Sequence, residues 1–506
     1  MLLPWLIMIP FIGGLLCGLT GYFSIKTPRF VAITTVGLIL LILLRIWING
    51  YFANIEVIGI PQWQLTYCIP WISRFGINFD LALDGLSFLM LVLTGFLGTI
   101  AVLCSWNEIE KNQGFFYLNL MFIVGSVIGV FLSVDMFLFF LFWEIMLVPM
   151  YFLISLWGYK SSDIETRVNA ATKFFIYAQI SSLILLVSII GLSLVYYKST
   201  GIWTFSYEKL LKTTMSHDLE YVLMLGFFIS FAIKIPIVPF HGWLLDAQSQ
   251  TPTSGSVDLI GILIKTAIYG LVRFNLPLFP HASIEFASIR MWLGIITIFY
   301  GAWMAFSQTD MKRLISYTSI SHMGFILIAT GTNSELAFQG IVIQLLSHSI
   351  SAAALFILCG QLYERLNTRD IKKMGGLWSK IKLIPGLSIF FIASNLGLPG
   401  TGNFIGEFLI LIGCFKTMPM IVIIATFSLI FSSVYSLVMM YRIYYGKSVI
   451  NIDISGMSSR ELLIIGILMI FLLLLGTYPQ PILDISSTPI INIHKWLNVS
   501  IPTTGL

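Results

Sequence analysis

A lysine lies in an apolar run directly before two prolines, in Phe231-Ala232-Ile233-Lys234-Ile235-Pro236-Ile237-Val238-Pro239-Phe240. An ammonium group at bilayer depth costs about 2.5–3.5 kcal/mol on insertion scales, so it is retained there mainly to carry ions or protons or to pair with a charge. The prolines break the helix, which membrane proteins tolerate only where the freed carbonyls face protein or a wet cavity. Lys234 therefore indicates transport, because an ammonium beside such a break can exchange its proton.

The composition indicates a multi-pass membrane protein. Of 506 residues, 58% are hydrophobic and 10% are charged, and the mean hydropathy is +0.93. A soluble chain carries about 25% charged residues. We therefore predict an all-α polytopic fold with about fourteen membrane spans, each long enough to cross a hydrocarbon core of about 30 Å. The expected spans lie near residues 3–23, 30–49, 82–104, 114–132, 134–157, 169–195, 220–244, 256–276, 286–306, 313–331, 336–360, 385–413 (interrupted), 418–445 and 460–477.

The basic residues predict the orientation. Most of the 28 Lys and Arg residues fall in the loops that face inside if the N-terminus lies outside. By the positive-inside rule both termini then lie outside. The net charge of +5 is thus a topology signal, and it gives little support to nucleic-acid binding. The opening Met1-Leu2-Leu3-Pro4 lacks the basic start of a cleavable signal peptide, so we expect the first span to be retained.

The sequence offers no motif for a bound cofactor. Its five cysteines are scattered without a C-x-x-C pair, which is typical of small apolar fillers in membrane helices. It contains no G-x-G-x-x-G, G-x-x-x-x-G-K-[ST] or H-E-x-x-H. We therefore expect no redox centre, nucleotide site or metal in this chain, and an energy source that lies elsewhere.

Spans 4–8 and 9–13 are predicted to form two copies of one five-helix unit. An odd number of helices inverts the second copy, as in many transporters. The first copy has the broken helix with Lys234, and in the second the run Asn395–Asn403 interrupts a span that then presents Glu407. The expected divisions are an N-terminal region of three spans with an outer hairpin segment (1–112), a first repeat (113–280), a second repeat (281–447), and a last span with a short outer tail (448–506).

The intramembrane polar residues of the first copy are Glu144, Lys234 and Lys265. Glu144 is a lone carboxylate whose obvious partner is Lys234, and the alternative is an ion pair that only locks two helices. For Lys265 we favour a proton relay, although a bond to a carbonyl or a side chain that reaches the membrane surface is the alternative. His241 and Asp246, which follow the first break, are expected near the inner mouth.

The second copy offers His322, His348 and Glu407. His322 can pass protons near neutral pH, and the alternative is a core histidine with satisfied hydrogen bonds. His348 is flanked by serines whose hydroxyls could organise water or simply bridge helices. Glu407 follows the Gly-rich break directly, which favours a role at the exit of a proton path.

Three segments resemble, in order, the signatures of the antiporter-like subunits of respiratory complex I. They are Lys234-Ile235-Pro236 to Trp243-Leu244 with its continuation to Lys265-Thr266, then Asp310-Met311-Lys312-Arg313 to Ser321-His322-Met323-Gly324, and Gly397-Leu398-Pro399-Gly400 to Gly406-Glu407-Phe408. A carboxylate at the second broken helix is similar to the M type, because the L and N types usually have lysine there. The chain also ends about 29 residues after its last span, without the lateral helix of the L type.

The resemblance implies a proton-pumping channel of a bacterial NADH:quinone oxidoreductase. The chain would lie in the inner membrane between the L-type and N-type subunits, with both termini periplasmic. Protons would move from cytoplasm to periplasm along Glu144, Lys234, Lys265, His322, His348 and Glu407. Partner subunits would hold NAD, FMN, iron–sulfur clusters and quinone, and quinone reduction there would supply the energy.

The sequence departs from the family pattern after the first break. Leu245, Gln248 and Thr251 stand where proline, histidine and alanine are common, so a histidine relay at position 248 is in doubt. Two rival functions stay open. One is a cation/proton antiporter subunit of a multi-subunit Mrp-type assembly, which would need a cation site of its own. The other is a passive spacer, which would not account for two broken helices that carry ionisable residues.

Overall fold

The computed structural model describes residues 2–24, 26–50, 62–159, 163–446 and 455–499. Two long helices open the chain, and an antiparallel hairpin then precedes the third. In the hairpin Leu65 lies opposite Leu83, and Ile72 lies opposite Ile77. The carboxylate of Asp84 accepts a hydrogen bond from Ser87 N at 2.9 Å and so caps the third helix. These elements are α1 (Leu2–Thr20), α2 (Thr27–Ile48), β1 (Leu65–Ile72), β2 (Ile77–Leu83) and α3 (Gly85–Glu108).

The middle of the chain holds the first broken helix and a long helix with two π-helical stretches. That long helix, the central helix, runs from Thr253 to Leu278 and is fully buried. Its π-helical stretches are Leu259–Leu263 and Leu271–Asn275. The α-helices of this part are α4 (Gln113–Leu132), α5 (Met136–Ile145), α6 (Leu147–Trp157), α7 (Ile164–Thr200), α8 (Tyr207–Leu210), α9 (His217–Lys234), α10 (Gly242–Gln250), α11 (Thr253–Asp258), α12 (Ile264–Gly270), α13 (Leu276–Leu278) and α14 (Pro280–Glu285).

The last part of the chain contains the second broken helix and ends in an amphipathic helix. Its elements are α15 (Ala287–Ser307), α16 (Met311–Thr330), α17 (Glu335–Leu366), α18 (Ile384–Asn395), α19 (Gly402–Phe415), α20 (Pro419–Tyr444), α21 (Ser459–Thr477) and α22 (Gln480–Val499). Short 3-10 turns occur at Ser73–Phe75, Ile371–Lys373 and Leu377–Ser379. Residues 500–506 of the expected outer tail lie outside the described residues.

Eleven helices in the described ranges are long and apolar enough to cross a membrane, and α18 and α19 are shorter apolar helices. The prediction of a helical, multi-pass membrane fold is confirmed. The count of fourteen spans stays a prediction, as do the two repeats. One boundary differs from expectation, because the start of the predicted span 82–104 belongs to strand β2 and α3 begins only at Gly85.

Both predicted breaks separate two short helices. At the first, α9 ends at Lys234 and α10 begins at Gly242, and the indole of Trp243 donates a hydrogen bond to the freed carbonyl of Ile233 at 2.8 Å. At the second, Gly397 and Gly400 have φ of 78° and 92°, a backbone conformation that favours glycine. A third interruption, at Met146 between α5 and α6, lies inside the span that the sequence predicted as continuous.

Helices α17 and α19 approach each other closely along two glycines. A Cβ atom at Gly406 would collide with Gln344, and one at Gly413 would collide with the backbone of Ala337. Both glycines are therefore required by the distance between the helix backbones. The pair α17–α19 forms a tightly packed frame in the second half of the molecule.

Helix α22 covers one end of the bundle. Its Ile485 carbonyl lies so close to Gly85 that a Cβ atom there has no room. Beneath it, Arg273 on the central helix pairs with Asp84, and both side chains are buried. The indole of Trp496 donates to the carbonyl of Pro277 at 3.1 Å. The C-terminal end of the central helix is thus fixed to α3 and closed by α22.

Candidate functional site: a buried row of titratable side chains

Lys265 and His348 lie in direct contact inside the bundle. The ammonium Nζ of Lys265 on α12 is 3.0 Å from Nδ1 of His348 on α17, and both side chains are fully buried. The second neighbour of the ammonium is the thioether of Met323, whose Sδ is 4.0 Å away. Nε2 of His348 has no hydrogen-bond partner among the described residues. Since Nδ1 faces the lysine, Nε2 is the nitrogen through which this imidazole can exchange a proton onward.

His322 and Glu407 form the second contact. Nδ1 of His322 on α16 lies 2.9 Å from Oε1 of Glu407 on α19, and the amide of Gln344 donates to the same oxygen at 3.4 Å. The rings of His322 and His348 have centroids 5.3 Å apart. Nε2 of His322, like that of His348, has no partner among the described residues. Four predicted residues therefore form one buried row, in the order Lys265, His348, His322 and Glu407.

The polar residues around His348 are of two kinds. The hydroxyls of Ser347 and Ser349 bond to carbonyls of their own helix, at 2.7 and 2.6 Å. Ser351 instead reaches the second break, where it donates to Asn395 at 3.3 Å and accepts from Asn403 at 2.9 Å. This link ties the helix of His348 to both sides of the break. Sequence reasoning did not single out the two asparagines, although both belong to the quoted break.

Lys234 lies apart from this row. Its ammonium is 3.6 Å from the ring centroid of Trp143 and 3.7 Å from Sδ of Met146. The side chain of Lys234 is buried, with an exposed fraction of 3%. Contact with an indole face and a thioether replaces the carboxylate that the sequence suggested as its partner.

The expected partners Glu144 and Lys234 are not in direct contact, although the carboxylate lies within range of Coulomb attraction to the ammonium. The ion pairs of the described residues do not include these two side chains. Glu144 is half-buried and accepts a hydrogen bond from Gln179 on α7 at 3.5 Å. Successive side chains of an α-helix point about 100° apart, since a turn takes 3.6 residues. Trp143 therefore contacts the ammonium of Lys234, whereas Glu144 bonds to α7 and acts on the ammonium only through space.

The residues expected at the inner mouth form a charged cluster. Asp246 on α10 accepts from Lys173 on α7 and from Arg313 on α16, each at 2.6 Å. The ring of His241 packs on Tyr300, with centroids 4.8 Å apart. The Asp246 cluster thus links helices from both predicted repeats.

Gln248 and its surroundings contain residues that sequence reasoning missed. The amide of Gln248 donates to the carbonyl of Ser256 at 3.4 Å, and Lys312 donates to the carbonyl of Thr251 at 2.7 Å. Asp258, two turns before Lys265 on the central helix, is fully buried, and neither carboxylate oxygen has a partner among the described residues. The sequence did contain a signal for Asp258, because it is an ionisable residue in an apolar span. Lys312, which lies at the start of a helix, was quoted only as part of the second signature and was not assigned a role.

A cavity of about 730 Å³ opens beside Lys312. It is lined by Glu108, Glu110, Lys111, Arg167, Arg369 and twelve further residues besides Lys312. In the ranges that the structure describes, no three His, Cys, Asp or Glu side chains are grouped so that they could hold a metal ion.

Comparisons with known proteins show the family to which the chain belongs. The family model described as "NADH:quinone oxidoreductase/Mrp antiporter, TM" matches residues 133–433, a range that includes all six predicted site residues. NADH-quinone oxidoreductase subunit M of Escherichia coli (strain K12) is 63% identical over 507 residues, with 100% of both chains covered. The subunit M of Pseudomonas aeruginosa is 57% identical over 505 residues, with 99% of both covered.

The fold is also similar to a solved structure. A chain of respiratory complex I from Thermus thermophilus with bound NADH superposes with a TM-score of 0.85 at 25% identity, with 98% of this chain and 99% of that chain covered. The resemblance to the M type that the sequence suggested is confirmed by these matches. The chain therefore belongs to the NADH:quinone oxidoreductase/Mrp antiporter transmembrane family, and within it to the group of NADH-quinone oxidoreductase subunit M.

Proposed function

We propose that the chain moves protons from the cytoplasm to the periplasm as a membrane subunit of a NADH:quinone oxidoreductase. The observation that carries the proposal is the buried row Lys265, His348, His322 and Glu407, in which two contacts of 3.0 and 2.9 Å flank a pair of imidazoles. Ionisable groups are costly inside a membrane protein and mark ion and proton paths there. The relatives named subunit M support the assignment to this enzyme.

The geometry supports a stepwise transfer through the row. A proton on Lys265 Nζ has His348 Nδ1 as its acceptor at 3.0 Å. An imidazole can take a proton on one nitrogen and release one from the other, so His348 and His322 exchange through their unpartnered Nε2 atoms, with or without an intervening water. His322 then delivers a proton from Nδ1 to Glu407 Oε1 at 2.9 Å. Glu407, next to the second break, releases the proton to the outer side.

Lys234 and Glu144 act at the inner side in this scheme. Lys234 lies at the end of α9, where the first break interrupts the helix, and there it is loaded from the cytoplasm. Glu144 is one residue from the ring that contacts the ammonium, and a carboxylate that swings toward the ammonium favours its charged form by Coulomb attraction. Withdrawal of that carboxylate weakens the attraction on the ammonium, and from this weaker hold the proton leaves toward Lys265.

The partners in this proposal are the L-type and N-type subunits in a bacterial inner membrane. The half-buried carboxylate of Glu144 lies beside a surface of exposed apolar side chains on α7, namely Ile176, Ile180, Leu183 and Val187. A carboxylate at such a surface is costly against lipid, which favours a neighbouring subunit on this side. NAD, FMN, iron–sulfur clusters and quinone belong to the partner subunits, and both termini of this chain face the periplasm.

The division into two inverted repeats belongs to the same proposal. Each predicted unit, 113–280 and 281–447, contains one broken helix, and each break follows a helix that ends in a polar residue, Lys234 or Asn395. Region 1–112 with its outer hairpin and region 448–506 flank the two units. An inverted pair of units allows one to open inward and the other outward.

The deciding experiment combines isolation with transport. The complex is extracted in mild detergent, its co-purifying subunits are identified, and NADH-driven proton uptake is measured in inverted vesicles. We expect the other subunits of the oxidoreductase and uptake that depends on NADH. Recovery of an assembly without NADH oxidation that exchanges Na⁺ for protons would instead support the Mrp-type antiporter.

A further inference from the structure

We propose that Trp143 is a positioning residue for proton transfer, whose indole face holds the charged Lys234 side chain apart from Glu144 between loading and release. The inference rests on the proposed function and adds a residue to it. The ammonium of Lys234 then has two positions, one on the ring of Trp143 and one toward the carboxylate of Glu144. The structure holds the first of them.

The contact has the geometry of a cation–π interaction. Nζ of Lys234 lies 3.6 Å from the centroid of the Trp143 ring, well inside the limit of about 6 Å for this interaction. The second contact of the ammonium is with Sδ of Met146 at 3.7 Å, and a thioether sulfur is only a weak hydrogen-bond acceptor. Both Trp143 and Met146 are fully buried, so water does not compete at this face of the ammonium.

The ring is fixed by packing on both sides. Phe139 and Phe231 each have their ring centroid 5.6 Å from that of Trp143, with interplanar angles of 36° and 66°. The indole Nε1 has no hydrogen-bond partner among the described residues, so aromatic contacts alone set the ring's orientation. Of the two partners, the flexible lysine can move, whereas the ring of Trp143 cannot move without repacking Phe139 and Phe231.

The chemistry of the ring suits a holding position. The negative face of an indole attracts an ammonium ion, but it has no lone pair to accept its proton. A neutral amine gains little from the same contact. The ring therefore stabilises the charged form of Lys234 without an ion pair. The next residue, the half-buried Glu144, competes with the ring for the ammonium and attracts it more strongly.

Other charged groups near α9 must be considered for any dependence on pH. The titratable side chains on the elements that pack against α9 or follow it are Glu144 on α5, Glu165, Arg167, Lys173, Tyr177, Tyr196, Tyr197 and Lys198 on α7, His241 in the first break, Asp246 on α10, Lys265, Tyr269 and Arg273 on the central helix, and His281 and Glu285 on α14. Lys173 is paired with Asp246, and Arg273 is paired with Asp84. Glu144 is thus the titratable group adjacent in sequence to the ring.

The test replaces Trp143 by tryptophans with one to four fluorine atoms, introduced at this codon in the assembled complex. Each fluorine weakens the negative face of the ring and leaves its shape almost unchanged. We expect the alkaline limit of NADH-driven proton uptake to move to lower pH with each fluorine, by about 1 pH unit over the series, because the ammonium loses stabilisation. Subunit content on a native gel should stay normal.

Trp243 serves as the matched control. It is also buried, but its indole donates to Ile233 and its ring packs on Phe174 at 5.4 Å. The same fluorinated series there should leave the pH profile unchanged. A flat profile at Trp143, or an equal shift at Trp243, would overturn the inference, whereas a parent complex that oxidises NADH without moving protons would overturn the proposed function itself.

Two ordinary substitutions complete the test. Trp143→Phe keeps a weaker aromatic face, and Trp143→Leu removes the face. The alkaline limit of proton uptake should therefore move further toward low pH in the leucine variant. If the leucine variant fails to assemble, the fluorinated series still decides the outcome.

Discussion

His322 and Glu407 lie 2.9 Å apart, Nδ1 to Oε1, with both side chains buried between α16 and α19. The two residues are far apart in sequence, and the second break brings the carboxylate to the imidazole. A histidine and a carboxylate at this distance share a proton readily, since a hydrogen bond to an ionised partner is short and strong. The contact is therefore the last internal step before the proposed exit.

Glu407→Gln should abolish most proton uptake. Glutamine preserves the shape and the contact with His322 but cannot exchange a proton, so uptake should fall about a hundredfold, the low end of what general acid–base groups contribute. Glu407→Asp and Glu407→Lys each keep a titratable group and should retain part of the activity. Uptake in inverted vesicles measures the effect, with the exposed Glu165→Gln as control. Full uptake in the glutamine variant would show that the exit lies elsewhere.

Lys234→Arg should assemble and fail to pump. A guanidinium keeps the charge and can stack on the Trp143 ring, but it does not release its proton in a protein. We expect normal subunit content on a native gel and loss of NADH-driven uptake. If uptake were normal, Lys234 would serve only as a fixed charge.

Glu144→Gln separates a switching role from a structural one. The structure gives Glu144 a single long hydrogen bond, to Gln179 at 3.5 Å, so its loss should leave assembly intact. NADH oxidation by the peripheral part should persist, while coupled quinone reduction and proton uptake should both fall strongly. Poor assembly with undiminished uptake per assembled complex would contradict the switching role and favour a helix lock.

Asp84→Asn should destabilise the end of the bundle that α22 covers. The substitution leaves the buried Arg273 without its ion pair, and breaking such a pair costs about 3–5 kcal/mol. Assembled complex on a native gel and its loss on heating measure the effect. The double variant Asp84→Asn with Arg273→Met removes both charges and should recover much of the stability. No recovery would show that Arg273 has a role of its own.

The sequence predicted the features that the membrane itself enforces. Charged groups in apolar spans are rare and costly, so Lys234, Lys265 and Glu407 were visible as outliers, and the prolines and glycines marked both breaks. The helical fold followed from the hydropathy of the chain, and the family from the resemblance of three segments to known signatures. Helix α16 shows why a count of spans is harder, because its polar His322 and Lys312 lower the apolar character of a buried helix.

Contacts between distant segments could not be predicted. Whether Glu144 or Trp143 faces Lys234 depends on the rotation of α5, and the break at Met146 that ends this helix contains no glycine and precedes the nearest proline by three residues. The pairing of Lys265 with His348 depends on how the central helix lies against α17. The buried Asp258 belonged to the same class of outlier as Lys265, but its surroundings became visible only in the fold.

The glycines at 406 and 413 have a mechanical consequence for the transport cycle. Because they bring α17 and α19 into backbone contact, His348 and Glu407 are mounted on one stiff support and keep their separation when the molecule is strained. If the proposed neighbouring subunit exerts a force on this chain, the distances in the row change at Lys265 and His322. The two residues that can shift are Lys265 and His322. Lys265 lies on a helix with π-helical turns on both sides, and His322 lies on α16, a helix outside the α17–α19 pair.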